Sequence, residues 1–176
     1  MRFIILSDTH GNVKNFKKVV TWANVQNIKL ILHCGDIGSP DSLKESLQSF
    51  KGKLFGVLGN MDFIYSKRLE VYNSIENVKI EERVLEIPVD KKLIAITHYP
   101  ETAQKLAESG KYQLVFYGHT HKPWLDRRSF SVGGEEKNRE CLIVNPGETA
   151  GQLYKPCFAV YDTAGDLLEL KILERL

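Results

Sequence analysis

Histidine, aspartate and asparagine residues recur in short polar motifs along this 176-residue sequence, and each motif directly follows an apolar run. The motifs are Asp-Thr-His at 8–10, Gly-Asp at 35–36, Gly-Asn-Met-Asp at 59–62, Thr-His at 97–98 and Gly-His-Thr-His at 118–121. Imidazole nitrogens combined with carboxylate and amide oxygens suit divalent ions such as Mn, Fe, Zn, Co or Ni, whereas calcium prefers oxygen ligands alone. The residue types therefore indicate metal-dependent chemistry.

The elements that must position these residues are short β-strands. Apolar runs predict strands over 2–7, 29–34, 53–58, 92–97 and 113–117, and each strand ends where a motif begins. Because the loops after neighbouring parallel strands converge beyond one edge of the sheet, the motif side chains are expected to meet there. The candidate ligands are Asp8, His10, Asp36, Asn60, His98, His119 and His121. They are too many for one tetrahedral ion, but two ions that share a bridging carboxylate would use them all.

Helical patterns separate the first strands, which predicts βαβ units and a largely parallel sheet in the first half of the chain. The helix signals are an apolar face at Val13, Phe16, Val20 and Ala23, a cap and start at Ser39-Pro40, and a span from Pro100 to Gly110. Residues 78–89 are predicted to be extended, and only strands are predicted after residue 124, with turns at Gly133-Gly134 and Ala164-Gly165. This order predicts a single α/β domain over residues 1–176, with two packed sheets and outer helices.

The composition is typical of a soluble globular protein, with 43% hydrophobic and 26% charged residues, and this excludes a disordered chain. The formal net charge of +2 is too small to indicate binding to nucleic acid or a membrane surface. Three cysteines without a C-x-x-C pair favour a reducing compartment over a disulfide framework. Neither a signal peptide nor an apolar run of roughly 20 residues is recognisable, so a cytoplasmic location is expected.

Each candidate ligand also has an ordinary structural explanation. A lone aspartate after a strand is most often a turn or helix cap, and a lone histidine is more often hydrogen-bonded than metal-bound. Four of the five histidines follow strands, however, and this shared position favours a site. His33 instead lies inside a strand, where a packed core residue and a residue that supports the ligands are equally good explanations. Cys34 is expected in the core, because strand alternation turns it away from Asp36.

In their order and spacing, the five motifs resemble those of the calcineurin-like metallophosphoesterases. The short chain is similar to the compact prokaryotic branch of YfcE-type phosphodiesterases, and Asn145-Pro146-Gly147 resembles a loop of that branch. The resemblance covers nearly the whole chain. It implies a four-layer fold in which two mixed β-sheets pack face to face between flanking helices.

The resemblance also implies a binuclear metal centre and a reaction. Asp8, His10, Asp36 and His121 would bind one divalent ion, and Asp36, Asn60, His98 and His119 would bind the other. Manganese is the first expectation for both ions, with nickel, iron, zinc, cobalt and magnesium as alternatives. A hydroxide shared by the two ions would attack a small phosphodiester, so catalysis would depend on Asp36, Asn60 and His98.

One position departs from the family pattern. Many members carry a histidine where this chain has Met61, and that histidine contacts the substrate and can protonate the leaving group. A thioether carries no proton, so we expect a preference for good leaving groups such as aryl phosphodiesters. Asp62 is expected to orient its neighbours rather than to act as an acid, because a carboxylate beside two cations stays ionised.

Other functions remain open from the sequence. One alternative is a non-catalytic scaffold, because the retromer subunit, which has this fold, resembles the present chain. Retaining so many buried polar groups for structure alone would be costly, however. Nucleic-acid processing is a third alternative, which salt dependence would test. Substrate specificity is expected to lie in the loops 63–73, 99–101 and 130–139. Exposed aromatic residues such as Trp124 and Tyr154 leave homo-oligomer formation open.

Overall fold

The structure, a computed structural model, describes residues 1–62, 69–131 and 138–176. Its strands are β1 (Arg2–Leu6), β2 (Leu30–His33), β3 (Lys53–Val57), β4 (Val78–Glu81), β5 (Val84–Val89), β6 (Lys92–Thr97), β7 (Leu114–Phe116), β8 (Trp124–Ser131), β9 (Asn138–Asn145), β10 (Cys157–Asp162) and β11 (Leu167–Ile172). Its helices are α1 (Val13–Val25), α2 (Pro40–Leu47), α3 (Leu69–Asn73) and α4 (Pro100–Glu108), followed by a 3-10 helix (Leu173–Arg175).

The strands form two mixed sheets. The first sheet has the strand order β11-β10-β1-β2-β3-β4, and the second has the order β5-β6-β7-β9-β8. In the first sheet β1 to β4 are parallel to one another, whereas β10 and β11 pair antiparallel. In the second sheet β6, β7 and β9 are parallel, and the edge strands β5 and β8 are antiparallel to their neighbours. The sandwich therefore contains two groups of parallel strands, and loops follow the carboxyl ends of these strands.

Three apolar clusters hold four layers together. One cluster packs α1 and α2 against the outer face of the first sheet, with Phe16 and Phe158 fully buried in it. A second cluster fills the space between the sheets, where Phe3 contacts Phe116 edge-on with ring centroids 6.0 Å apart. A third packs α4 on the second sheet through Ala103. The face-to-face sandwich with flanking helices confirms the predicted fold class.

Helices α2 and α4 begin where the sequence predicts, and their first turns explain why. The Ser39 side chain accepts a hydrogen bond from the backbone N–H of Ser42, and Pro40 occupies the first turn of α2. Helix α4 also begins with a proline, and Gly110 follows its end with a left-handed φ of 65°. No helix in the described part of the chain is both long enough and apolar enough to cross a membrane.

Two local predictions differ from the structure. The extended segment 78–89 is split at Glu82-Arg83 into β4 and β5, which belong to different sheets, because β4 pairs parallel with β3 while β5 pairs with β6. The loop predicted at 63–73 contains α3 at its end. The predicted turn at Gly133-Gly134 lies outside the described residues.

Candidate metal centre

All seven candidate ligands follow parallel strands. Those from the first sheet come after β1, β2 and β3, and those from the second sheet come after β6 and β7. The backbone N–H of Asp8 donates to the carbonyl of Gly35, and the N–H of His10 donates to the carbonyl of Asp36, so the loops after β1 and β2 are tied together. The N–H of Gly118 donates to the carbonyl of His98, which ties the loops after β6 and β7. The two sheets thus present their ligands to one another.

Four of the ligands form a compact group, which we call the four-residue cluster: Asp8, His10, Asp36 and His121. Each offers one ligand atom, and these atoms all lie within 4.8 Å of one another. Nε2 of His10 lies 3.2 Å from Nε2 of His121, and Oδ1 of Asp8 lies 3.4 Å from Nε2 of His121. Asp8 is fully buried, yet its Oδ1 accepts no hydrogen bond from the described residues. A buried carboxylate oxygen surrounded by imidazole nitrogens is a favourable position for a cation.

The other three ligands form a second group, which we call the three-residue cluster: Asn60, His98 and His119. Oδ1 of Asn60 lies 2.9 Å from Nε2 of His98 and 2.8 Å from Nδ1 of His119. Asn60 and His119 are exposed, whereas His98 is fully buried. This cluster therefore contains imidazole and amide groups but no carboxylate of its own.

Asp36 belongs to the four-residue cluster and also approaches the three-residue cluster. Its Oδ2 is 3.5 Å from Nε2 of His98 and 3.9 Å from Nε2 of His10. Its Oδ1 accepts a 2.7 Å hydrogen bond from the backbone N–H of Met61, which leaves Oδ2 directed at both groups of imidazoles. One carboxylate oxygen is therefore within reach of both positions.

The backbone of the site is held in an unfavourable conformation. Five of the nine non-glycine residues with left-handed φ in the described chain are candidate ligands: Asp8, His10, Asp36, His119 and His121. A non-glycine residue in this region costs about 1–3 kcal/mol and persists only where the surrounding structure enforces it. Such conformations concentrate at functional sites, and here they turn both the first and the third residue of Asp-Thr-His into the site.

Buried hydrogen bonds hold the loops of the four-residue cluster. The Gly35 N–H donates to Nδ1 of His33, so the ring proton sits on Nε2 and is donated to Oγ1 of Thr9 at 2.9 Å. Thr9 in turn donates to the carbonyl of Ile37. Of the two explanations that the sequence leaves open for His33, both hold, because it is fully buried and also ties the loop of Asp8 to the loop of Asp36.

Asp62 supports the same loops from the other side. Its carboxylate accepts 2.9 Å hydrogen bonds from the backbone N–H groups of Ile37, Gly38 and Gly59. These contacts agree with the orienting role expected for Asp62. Cys34 is buried in the cluster between the sheets, and its carbonyl accepts a 2.8 Å hydrogen bond from Nδ1 of His98. His98 therefore turns Nε2 toward the ligands.

Two glycines are required where the loops approach one another. A Cβ at Gly59 would overlap the carboxylate and the backbone nitrogen of Asp36. A Cβ at Gly118 would overlap Oγ of Ser7 and approach Oδ2 of Asp8. The backbone therefore comes directly against both aspartates, which only glycine permits.

Burial dominates the electrostatics of the site. It raises the pKa of Asp8 to about 7, with the nearby charge of Asp36 adding to the effect. Burial likewise lowers the pKa of His10 and His98, and together with neighbouring imidazoles it lowers the pKa of His33 to about 3. The imidazoles of His10, His98 and His33 therefore favour their neutral form, and the neutral form is the one that binds a metal.

The sequence analysis did not identify Glu148 as part of the site. Its side chain is fully buried, and its Oε2 lies 3.2 Å from Nδ1 of His121. Burial acts to raise the pKa of Glu148, but hydrogen bonds from the N–H groups of Tyr154, Gln152 and Leu153 outweigh it, so the pKa lies below its usual value. The only signal in the sequence was its place directly after Asn145-Pro146-Gly147.

The Asn145 side chain explains why that loop lies at the site. Its Nδ2 donates to the carbonyl of Gly118 at 2.8 Å and to Oγ1 of Thr120 at 3.0 Å, and its Oδ1 accepts from the N–H of Gly147. The loop after β9 is thereby attached to the Gly-His-Thr-His loop. Met61, by contrast, is 57% exposed beside Asn60, and its side chain offers no polar donor.

Both the sequence and the fold match known proteins. Residues 1–166 match the calcineurin-like phosphoesterase superfamily domain. The chain belongs to the calcineurin-like phosphoesterase superfamily. Its members are hydrolases that act on phosphate esters, so the sequence prediction of a phosphoesterase enzyme is confirmed, as is the resemblance on which it rested.

Relatives of this superfamily match over most of the chain. Phosphodiesterase MJ0936 from Methanocaldococcus jannaschii is 30% identical over 166 residues, which are 93% of each chain. A solved structure described as a novel archaeal phosphodiesterase has a TM-score of 0.81 at 27% identity and covers 98% of this chain and 99% of its own. The structure of YfcE, a phosphoesterase from E. coli, has a TM-score of 0.70 at 20% identity over 100% of this chain and 96% of its own, a likeness of fold.

Proposed function

We propose that this protein is a binuclear metal-dependent phosphodiesterase whose two ions share Asp36. The observation that carries the proposal is the position of Asp36 Oδ2, which is 3.5 Å from His98 and 3.9 Å from His10. An oxygen at these distances could bind an ion in each of the two clusters. The four-residue cluster would hold one ion, and the three-residue cluster together with Asp36 would hold the other.

The residues fit divalent ions chemically. The four-residue cluster has two carboxylates and two imidazoles whose ligand atoms lie within 4.8 Å of one another, and Oδ1 of Asp8 accepts no hydrogen bond from the described residues. An unpartnered buried carboxylate oxygen is costly without a cation. Imidazole and carboxylate donors suit manganese, nickel, iron, zinc and cobalt, with magnesium less well matched to the histidines.

Bound ions would supply an activated water nucleophile and neutralise the charge of the phosphate oxygens. The protein's part is to position the ligand atoms before the substrate arrives. Hydrogen bonds from Met61 and to Cys34 orient Asp36 and His98, and the left-handed backbone of the loops directs the remaining ligands inward. Asn60 and His119 are exposed, so a phosphate ester can approach the three-residue cluster from solvent.

A diester is the substrate that the local charge favours. In the described part of the chain, no lysine or arginine forms an ion pair with any of the seven ligands. Among the described residues, the charge of the ligands would therefore be balanced by the ions and not by a cationic side chain. A phosphodiester carries one negative charge near neutral pH and needs less neutralisation than a monoester dianion. The 30% identical relative is named a phosphodiesterase, which is in line with this choice.

The test is hydrolysis by metal-stripped protein after single additions of Mn²⁺, Ni²⁺, Zn²⁺ or Mg²⁺. The substrates are an aryl phosphodiester and the matching aryl phosphomonoester, so that only the second ester bond differs. We expect activity to return with a transition ion and to favour the diester. Equal or faster hydrolysis of the monoester would contradict the diesterase assignment. No hydrolysis with any ion would favour a non-catalytic scaffold instead.

A further inference from the structure

Glu148 is surrounded by hydrogen-bond donors. Its Oε2 faces Nδ1 of His121 at 3.2 Å and accepts from the N–H of Gln152 at 2.9 Å. Its Oε1 accepts from the N–H groups of Leu153, at 2.6 Å, and of Tyr154. Each oxygen thus has two nitrogen partners. Three of these are backbone N–H donors, and only a carboxylate can accept four such bonds at once.

These contacts determine which nitrogen of His121 carries the proton. A carboxylate in this environment accepts hydrogen bonds and has none to give, so Nδ1 of His121 must be the donor. In a neutral imidazole the other nitrogen then carries the lone pair. That nitrogen, Nε2, lies 3.4 Å from Oδ1 of Asp8 and 3.2 Å from Nε2 of His10. His121 therefore directs its lone pair into the four-residue cluster.

We propose that Glu148 is a positioning residue that holds His121 in the Nδ1–H tautomer and turns its Nε2 toward the ion position of the four-residue cluster. The inference rests on the proposed function, because it takes this cluster to bind a metal. It goes further, because it assigns carboxylate support of a ligand histidine to one cluster and not to the other. In the three-residue cluster, His98 donates from its distal Nδ1 to the neutral backbone carbonyl of Cys34. Nδ1 of His119 faces the ligand oxygen of Asn60 and therefore gives no carboxylate support of this kind.

The consequence is a selective loss of metal affinity. Carboxylates that accept from the distal nitrogen of a metal-bound histidine typically contribute about 10–100-fold to affinity, because they fix the tautomer and make the ligand more basic. Glu148→Ala should therefore weaken one of two Co²⁺ sites by about that factor and leave the other unchanged. Glu148→Gln offers a single acceptor oxygen and should fall between wild type and Glu148→Ala.

Thr149→Val is the matched control. Thr149 is a buried neighbour in the same loop, and its Oγ1 donates to the carbonyl of Cys157 without touching His121. The Thr149→Val substitution removes a buried hydrogen bond from the loop while leaving the contact between Glu148 and His121 in place. Its Co²⁺ affinities should match those of wild type.

Two measurements test the proposal. Calorimetric titration with Co²⁺, together with the visible absorption of the bound ion, compares wild type, both Glu148 variants and Thr149→Val. Nitrogen-15 NMR of the metal-free wild-type protein reports the His121 tautomer directly, and we expect the proton on Nδ1.

The outcomes are distinct. A folded Glu148→Ala or Glu148→Gln variant with wild-type affinity at both sites would overturn the proposal, as would a proton on Nε2 of His121. An equal loss in Thr149→Val would also overturn it, since the effect would then belong to the loop. If wild-type protein bound no Co²⁺, the proposed function would fail, while the tautomer measurement would still decide what Glu148 does to His121.

Discussion

The two ligand clusters differ in how the protein holds them. In the four-residue cluster Asp8 is fully buried, Asp36 is 2% exposed, and neighbouring side chains such as His33 and Glu148 support the ligands. In the three-residue cluster only His98 is buried, and Asn60 and His119 are exposed and contact one another. Burial without compensation is costly, so the first cluster has the greater need of a cation. We expect it to bind its ion more tightly, and the more exposed cluster to be the one that meets the substrate.

The shared ligand offers the largest test of this comparison. Asp36→Asn removes a negative charge that lies within reach of both clusters, so both ion positions should weaken. Phosphodiester hydrolysis should fall at least about 1,000-fold, because ions contribute several kcal/mol to the reaction. Asp41→Asn, an exposed acidic residue in the first turn of α2, is the control and should keep wild-type activity. Activity retained in Asp36→Asn would remove the bridging role.

His33 tests the support of the four-residue cluster through pH. Burial lowers its pKa from 6.5 to about 3, so between these values the unfolded chain binds a proton that the folded protein does not. His33 therefore favours unfolding as the pH falls below about 6.5. In metal-free protein, the unfolding free energy of His33→Gln relative to wild type should rise by about 3 kcal/mol between pH 7 and pH 4.

The control for His33 is Thr9→Val, which breaks the same 2.9 Å hydrogen bond but leaves the imidazole in place. The unfolding free energy of Thr9→Val, measured by chemical denaturation, should differ from that of wild type by the same amount at pH 7 and at pH 4. If the difference in unfolding free energy between His33→Gln and wild type did not change with pH, His33 would not be the group that titrates.

The two histidines of the Gly-His-Thr-His motif test the contrast in burial. His121→Ala would leave the buried carboxylate of Glu148 without one of its donors, which should lower the unfolding free energy of the metal-free protein by about 1–3 kcal/mol. His119→Ala alters an exposed side chain and should change it by less than about 0.5 kcal/mol. Thermal unfolding of both variants measures the gap. Equal losses would mean that the two clusters are supported alike.

A substitution at Met61 has the smallest expected effect of the four, and it tests whether the substrate meets the three-residue cluster. A histidine in its place would put a proton donor beside Asn60, where the family often has one. General acid catalysis typically contributes about 100-fold or more when well placed, so an unoptimised Met61→His should raise alkyl phosphodiester hydrolysis about tenfold. Aryl diesters, whose leaving groups need little protonation, should change less. Met61→Gln, polar but not acidic, is the control, and an equal gain there would exclude proton donation.

Much of the fold was readable because strands and helices have strong local signals. The apolar runs before Asp8, Asp36 and His98 predicted three strands to within one residue at every end, and Ser39-Pro40 predicted the start of α2. The split of residues 78–89 between two sheets was not readable, because an extended segment carries no record of its pairing partner.

The sequence by itself determined the residue types of the site and the strand ends that carry them, since five motifs each follow a strand. Only the tertiary structure decided that one set of ligands is more buried than the other, because burial depends on which loops pack over them. It also brought Glu148 to His121, 27 residues away. A single carboxylate has no periodicity or spacing that marks it, and its importance comes from the four nitrogen partners that the folded chain assembles around it.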